Sequence, residues 1–195
     1  MIFFKKENMI IRKINKNDLK TLVEFSKRTF TEAFAHLNNP DDFNAFIESA
    51  FNTETLEKEL NNVQRDAYGE GSLFYFMENK GIVAGLLKLN VFKAPSETHA
   101  PTFYSDTHFN KKDMLEIERI YVDAPFHGKG LAAILMQQAE AVARQNNCSE
   151  IWLGVWSENH KAIRFYEKCG FTTFGEHVFT VGTDDQIDIL MIKRL

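Results

Sequence analysis

The sequence predicts an α/β protein of the mixed α+β kind, with a central sheet of about seven strands and helices on both faces. Three observations carry this reading. Seven β-prone runs punctuate the chain; apolar residues between them recur at three- and four-residue steps; and Ile151 to Val155 is apolar without alternation, as a strand covered on both faces requires. The order is β, two or three helices, a β meander, then β-α-β-α-β-β, with no repeat or low-complexity tract. At 195 residues the chain fits one domain whose core needs no staples.

Met9 to Ile14 reads as the first strand and residues 1–8 as a loose N-terminal extension, so the domain spans 9–195. Asn15 to Asp18 end that strand with short polar side chains suited to capping a helix that begins near Leu19 and carries Leu22, Phe25, Phe30 and Phe34. Asn39-Pro40-Asp41-Asp42 breaks it and opens a second helix, with carboxylates at the favourable N-terminal end and Phe43, Phe46, Ile47 and Phe51 along one side. Thr53 is expected to cap a third, short helix through Leu56 and Leu60. From Ser72 the character changes. Leu73 to Met77 and Ile82 to Val91 are strands joined by Glu78-Asn79-Lys80-Gly81, whose glycine supplies the positive φ of a tight hairpin. Lys93 to Asp113, holding Pro95 and Pro101, is longer than ordinary connections and reads either as a cover over a site or as a tolerated insertion. Leu115 to Val122 is the next strand, followed by a helix with Leu131, Ile134, Leu135, Ala139 and Val142 on its apolar face. Asn159 to Lys168 is a helix closed by Gly170 in left-handed conformation. Strands near Phe171 to Val181 and Gln186 to Lys193 then flank a hairpin loop, Gly182-Thr183-Asp184-Asp185.

A net charge of −4 and a pI near 5.9 provide no basic field for nucleic acid and weakly favour a cationic partner. The 18 Phe imply a core built around large rings. Cys148 and Cys169 sit in no metal or redox spacing, which makes the reducing cytoplasm the default setting. No run approaches the ~18 apolar residues of a membrane span, and the apolar start is too short for a signal peptide, so no membrane partner is expected.

His127-Gly128-Lys129-Gly130-Leu131-Ala132 lies between a strand and a helix. Backbone N–H groups freed by the glycines and the positive end of the helix dipole converge there, an arrangement that holds a phosphate or pyrophosphate. No Gly-Lys-Ser/Thr closes the turn as in a Walker motif, and the third glycine of the dinucleotide fingerprint is missing. The turn resembles the Arg/Gln-x-x-Gly-x-Gly/Ala loop on which GCN5-related N-acetyltransferases (GNAT) bind acetyl-CoA, matched here by His127-x-x-Gly130-x-Ala132. His127 departs from the usual Arg or Gln, which bears on a side-chain contact and leaves the backbone cradle intact. Asn159 to Phe171 likewise resembles the family's Asn-x-x-Ala-x-x-Phe-Tyr-x-x-x-Gly-Phe. Asn159, Ile163 and Tyr166 fall on one helical side, so an amide and a phenol could face one cleft.

The resemblance covers nearly the whole chain from Met9. It implies the GNAT fold, splayed between the fourth and fifth strands, with acetyl-CoA as co-substrate. The implied CoA contacts are Gly128, Lys129, Gly130, Leu131 and Ala132 in the turn, and Ile120, Tyr121 and Val122 on a strand edge that pairs with the pantetheine arm. His127, Asn159, Phe165 and Lys168 complete them, and Tyr166 resembles the family's tyrosine general acid. Acetyl transfer must also stabilise an oxyanion, a task for a backbone N–H near Tyr121 or Val122, and manage protons on amine and thiolate. An alkylamine with a pKa of about 10.4 is mostly protonated at pH 7, so a proton must be collected directly or through water. Glu116 and Glu118 alternate with Leu115 and Ile117 and share a sheet face. Glu118 is the candidate base or water-holder with Glu116 beside it on the substrate side, the alternative being solvated charges on a half-exposed strand.

Ser49 to Glu54, Leu115 to Tyr121, Ile151 to Trp156 and Asp184-Asp185-Gln186 together resemble the PaiA-type spermidine/spermine N-acetyltransferases, which implies a polyamine acceptor. A flexible polycation is matched by carboxylates spaced along a groove, and the first helices offer Glu24, Glu32, Asp41 and Asp42. Glu32 is favoured, because Asp41 and Asp42 already serve a helix start. Two other readings stay open: a peptide, a protein lysine or another small-molecule amine as acceptor, and a module that senses acetyl-CoA without turnover. His36, His99 and His108 show no metal-ligand spacing, so no metal is expected, and the chain is read as a monomer or homodimer.

Overall fold

The computed structural model describes residues 9–61, 71–95, 109–181 and 183–195. The expected extension over 1–8 and most of the long 93–113 connection lie outside these residues. In chain order the elements are β1 (Met9–Lys13), α1 (Leu19–Phe34), α2 (Pro40–Ala50), α3 (Thr53–Asn61), β2 (Gly71–Asn79), β3 (Ile82–Val91), β4 (Met114–Val122), α4 (Leu131–Gln145), β5 (Glu150–Trp156), α5 (His160–Lys168), β6 (Thr172–Val181) and β7 (Asp184–Arg194). The seven strands form one sheet in the order β1-β2-β3-β4-β5-β7-β6, parallel only between β4 and β5.

Strand alternation sorts the apolar side chains between two faces. Phe74, Phe76 and Leu86 lie under α1, α2 and α3, packed with Leu22, Phe25, Phe43, Ile47, Phe51 and Leu56. On the opposite face Leu87, Leu115, Ile117, Ile151 and Leu153 meet Leu131, Leu135, Ala139 and Val142 of α4. Burying each such side chain contributes roughly 1.5 to 3 kcal/mol. Five of the Phe gather in one cluster: the Phe30 ring lies 4.7 Å from Phe34, 5.8 Å from Phe43, 5.4 Å from Phe46 and 5.3 Å from Phe51. The β2–β3 turn has positive φ at both Lys80 (50°) and Gly81 (79°), the conformation whose twist suits a two-residue hairpin.

Two local expectations are corrected. Thr53 is the first residue of α3 and does not cap it; the Asn52 carbonyl Oδ1 accepts from the Thr55 N–H at 2.8 Å. Asn52 also donates to the Glu48 and Ser49 carbonyls at 2.9 and 3.0 Å, closing α2 while opening α3. An amide can do both and a hydroxyl at Thr53 cannot. Asp184 and Asp185 belong to β7, paired with Val181 and Thr180, and are not part of the expected hairpin loop, whose residue 182 lies outside the described residues. A cross-strand bond from Thr180 Oγ1 to Asp185 Oδ1 at 2.7 Å offsets the poor strand preference of aspartate.

Candidate active site

β4 and β5 pair only where Met114, Leu115 and Glu116 meet Glu150, Ile151 and Trp152. Beyond that point β4 follows β3 to Val122 while β5 follows β7 to Trp156, so the two strands part. A cavity of about 800 Å³ opens at the gap, bordered by Glu32, Glu118, Ile120, Tyr121, Val122, His127, Asn159 and Tyr166 among the residues expected from sequence. Glu116, Gly128, Lys129, Gly130, Leu131, Ala132, Phe165 and Lys168 are not on its lining.

The turn after β4 adopts left-handed backbone at Gly128 (φ 72°) and Gly130 (φ 78°), and Gly130 immediately precedes α4. Among the described residues no side chain caps that 15-residue helix, which leaves its first N–H groups available beside the dipole's positive end. This is the donor set a pyrophosphate requires, and the β4 backbone beyond Glu116, without a strand neighbour on the β5 side, suits an extended arm. The residues therefore fit CoA. His127 Nε2–H donates to the Val122 carbonyl at 2.7 Å, a tautomer assigned because a carbonyl can only accept. Its ring thus ties the turn to the end of β4.

Asn159 caps α5, its Oδ1 accepting from the Ala162 N–H at 3.1 Å. The helix ends with Gly170 at φ 90° and with the Phe171 N–H donating to the Tyr166 carbonyl at 3.0 Å, which fixes the backbone that presents Tyr166. Burial pushes the Tyr166 phenol well above the usual tyrosine range, with Tyr121 and Cys169 nearby adding to it. The Tyr121 phenol is pushed up to about 12, again chiefly by burial. Tyr166 is therefore protonated at neutral pH, as a proton donor to a departing sulfur must be.

Glu116 and Glu118 meet on one face, as alternation predicts, both accepting from the Asn90 amide. Their surroundings were hidden in sequence. Lys88 reaches Glu118 at 2.6 Å and Glu59 at 3.0 Å, Arg119 reaches Glu59 at 2.8 Å, and Lys93 reaches Glu116 at 2.8 Å. Burial pushes the Glu118 carboxyl up, but Lys88, Arg119 and Asn90 outweigh it and hold the group below the usual carboxylate range. A carboxylate so paired is a weak proton acceptor and a firm anchor. Glu32 stands exposed at the cavity rim, 3.5 Å from Arg28, which also pairs with Asp123. Asp42 is taken up by Thr183, whose N–H and Oγ1 donate to it at 3.1 and 2.8 Å, pinning the β6–β7 hairpin against α2. Glu24 faces Lys20 at 3.9 Å.

Sequence reasoning passed over Asp188 on β7, which also borders the cavity. Its cross-strand neighbours are Trp156 on β5 and His177 on β6. Burial pushes its carboxyl up to about 6. A Cβ on Gly154 would lie 3.3 Å from Asp188 Oδ2, so the glycine leaves the carboxylate room. The available signal was an acid in mid-strand between Ile187 and Ile189. Phe30, Phe34, Phe46, Trp156 and Phe179 give the same cavity an aromatic lining.

A strand edge that suits an extended arm, a donor turn that suits a pyrophosphate and a buried phenol at the gap fit an acyltransferase. Residues 30–171 match the model of the Acetyltransferase (GNAT) family, and the chain belongs to that family. It is similar to an uncharacterised N-acetyltransferase in the pepI 3′ region of Lactobacillus delbrueckii subsp. lactis, 37% identical over 185 residues that cover 95% of this chain and 96% of that protein. Among solved structures it resembles the PaiA N-acetyltransferase of Thermoplasma acidophilum in complex with coenzyme A, with a TM-score of 0.71, 20% identity and coverage of 96% and 99%. It also resembles the spermidine N-acetyltransferase of Vibrio cholerae in complex with CoA and spermine, with a TM-score of 0.66, 20% identity and coverage of 97% and 96%. The protein is an N-acetyltransferase that uses acetyl-CoA.

Proposed function

We propose that the protein acetylates a primary amine of a polyamine such as spermidine or spermine, in the cytoplasm, with one domain over 9–195 sufficient as monomer or homodimer. The observation that carries this reading is a cavity lined by rings at the gap between β4 and β5, whose walls include the carboxylates Asp188 and Glu32 besides Glu59 and Glu118. Methylene segments suit Phe30, Phe34, Phe46 and Trp156, while ammonium groups suit the acids and the ring faces. The solved relative carrying spermine supports the same class. Both cysteines are free thiols, in keeping with a reducing setting. Among the described residues no helix is long and apolar enough to cross a membrane, and no group of His, Cys, Asp or Glu could hold a metal.

The thioester supplies an activated acetyl carbon and a sulfur leaving group. The backbone of Gly128 to Ala132 holds the pyrophosphate, the edge at Ile120, Tyr121 and Val122 orients the arm and offers an N–H to the developing oxyanion, and His127, Asn159, Phe165 and Lys168 flank it. Tyr166 Oη gives a proton to the departing sulfur. Glu118, held by Lys88 and Asn90, acts as the water-holder on the amine side, with Glu116 fixing Asn90 from behind. The test is a panel of acceptors with release of CoA thiol as readout: spermidine, spermine, 2-phenylethylamine and peptides with free amines. Polyamines turning over fastest supports the reading; turnover of peptides with spermidine and spermine inert overturns it.

A further inference from the structure

The cavity holds a carboxylate, Asp188, that has so far been given no part in moving a proton. Asp188 shares the cavity with Tyr166 and Asn159. Other titratable or charged groups on its walls are Glu32 from α1, Glu59 from α3, Glu118, Arg119 and Tyr121 from β4, and His127 from the turn, while His177 sits across from it on β6. Arg119 is taken up by Glu59 at 2.8 Å and Glu118 at 3.2 Å, and among the described residues no cation pairs with Asp188. Gly154 beside it leaves Oδ2 uncovered, since any Cβ there would sit 3.3 Å away. An aromatic-lined cavity bordered by an acid that no cation among the described residues neutralises is complementary to a cation.

We infer that Asp188 receives the ammonium group of the acceptor and takes its proton before transfer, which makes a charged primary alkylamine the substrate class of this pocket. The inference rests on the proposed amine acetylation but does not require the amine to be a polyamine. One N–H bond of R–NH₃⁺ breaks as an O–H bond forms on Asp188, which later passes that proton to solvent. The freed lone pair forms the N–C bond as the C=O π pair moves onto oxygen; when that pair re-forms C=O, C–S breaks and its electron pair leaves on sulfur, which takes the Tyr166 proton. The proton that nitrogen loses on becoming an amide returns to Tyr166 through water, so the sum is amide, CoA thiol and one proton. Glu118 is less suited, since Lys88, Asn90 and Arg119 already occupy it. Burial holds Asp188 near 6, ionised at neutral pH yet more basic than a solvated aspartate.

The experiment compares the full-length protein with Asp188→Asn, using acetyl-CoA and three acceptors: spermidine, 2-phenylethylamine and aniline, whose nitrogen is uncharged at neutral pH. Expected is an acid limb near pH 6 in the wild-type profile, and in the variant the loss of that limb with a fall in kcat/KM of about 100-fold or more for the charged amines. Aniline transfer and the KM for acetyl-CoA should move by less than about threefold. Spermidine affinity by calorimetry should weaken about tenfold or more. Unchanged kcat/KM and pH profile with charged amines, or an equal loss for aniline, overturns the assignment. If the wild type acetylates 2-phenylethylamine and not spermidine, the polyamine reading falls while Asp188 is judged on the former. A wild type that transfers to no charged amine overturns both.

Discussion

Asp188→Asn keeps the side chain's shape and removes its charge, so its effect on stability can be worked from one number. Burial raises the Asp188 carboxyl from 3.8 to about 6, which means the folded chain binds this proton more tightly than the unfolded chain. Stability therefore falls as pH rises: the cost is absent below the unfolded value, grows from about pH 4 and is complete above about pH 6. Each pKa unit is worth about 1.4 kcal/mol, so the full cost is about 3 kcal/mol. Asparagine carries none of it. The variant should be more stable than wild type by about 3 kcal/mol near pH 7.5, an increase of roughly 6 to 12 °C in Tm at this size, with the gap closing as pH is lowered toward 4. Urea unfolding followed by circular dichroism from about pH 4.5 to about pH 8 measures it. A variant less stable than wild type near neutrality, or a difference that does not change with pH, would refute the reasoning, because Asp188 would then be paired or solvated.

Tyr166→Phe keeps the buried ring and removes the proton donor, so kcat should fall by about 10²- to 10³-fold with unfolding free energy within about 1 kcal/mol of wild type, read by thiol release and urea titration. Gly130→Ala places a side chain at φ 78°, costing about 1 to 2 kcal/mol and disturbing the cradle; the rise in Tm on adding acetyl-CoA should shrink. Lys88, 4% exposed, holds Glu59 and Glu118 together; Lys88→Met leaves both acids to Arg119 and should cost about 3 kcal/mol in urea unfolding.

What sequence disclosed was what lies close together along the chain. The turn from His127 to Ala132 and the helix from Asn159 to Phe171 each hold their chemistry within a few turns of backbone, so spacing alone placed amide, phenol and glycines. The splay of β4 from β5 came from family resemblance, since nothing in residues 117–122 says that pairing stops at Glu116. Glu118 was seen but not its company: Lys88 on β3 reaches it through sheet register, and Glu59 on α3 shares that lysine through helix packing. Asp188 was missed for a like reason. The glycine that leaves it room, Gly154, is on another strand, and the more conspicuous acids Asp184 and Asp185 drew the reading to a loop that is β7. Asn52 displaced Thr53 as a cap because it also closes the preceding helix, a demand visible only once both helices are placed.

The central claim, transfer of acetyl from acetyl-CoA to a polyamine nitrogen, is tested most directly by mass spectrometry of spermidine incubated with the purified protein and acetyl-CoA. The account predicts mono-acetylated spermidine formed in step with CoA thiol and abolished to background by Tyr166→Phe together with Asp188→Asn. Spermidine recovered unmodified while a peptide amine in the same mixture is acetylated would contradict it.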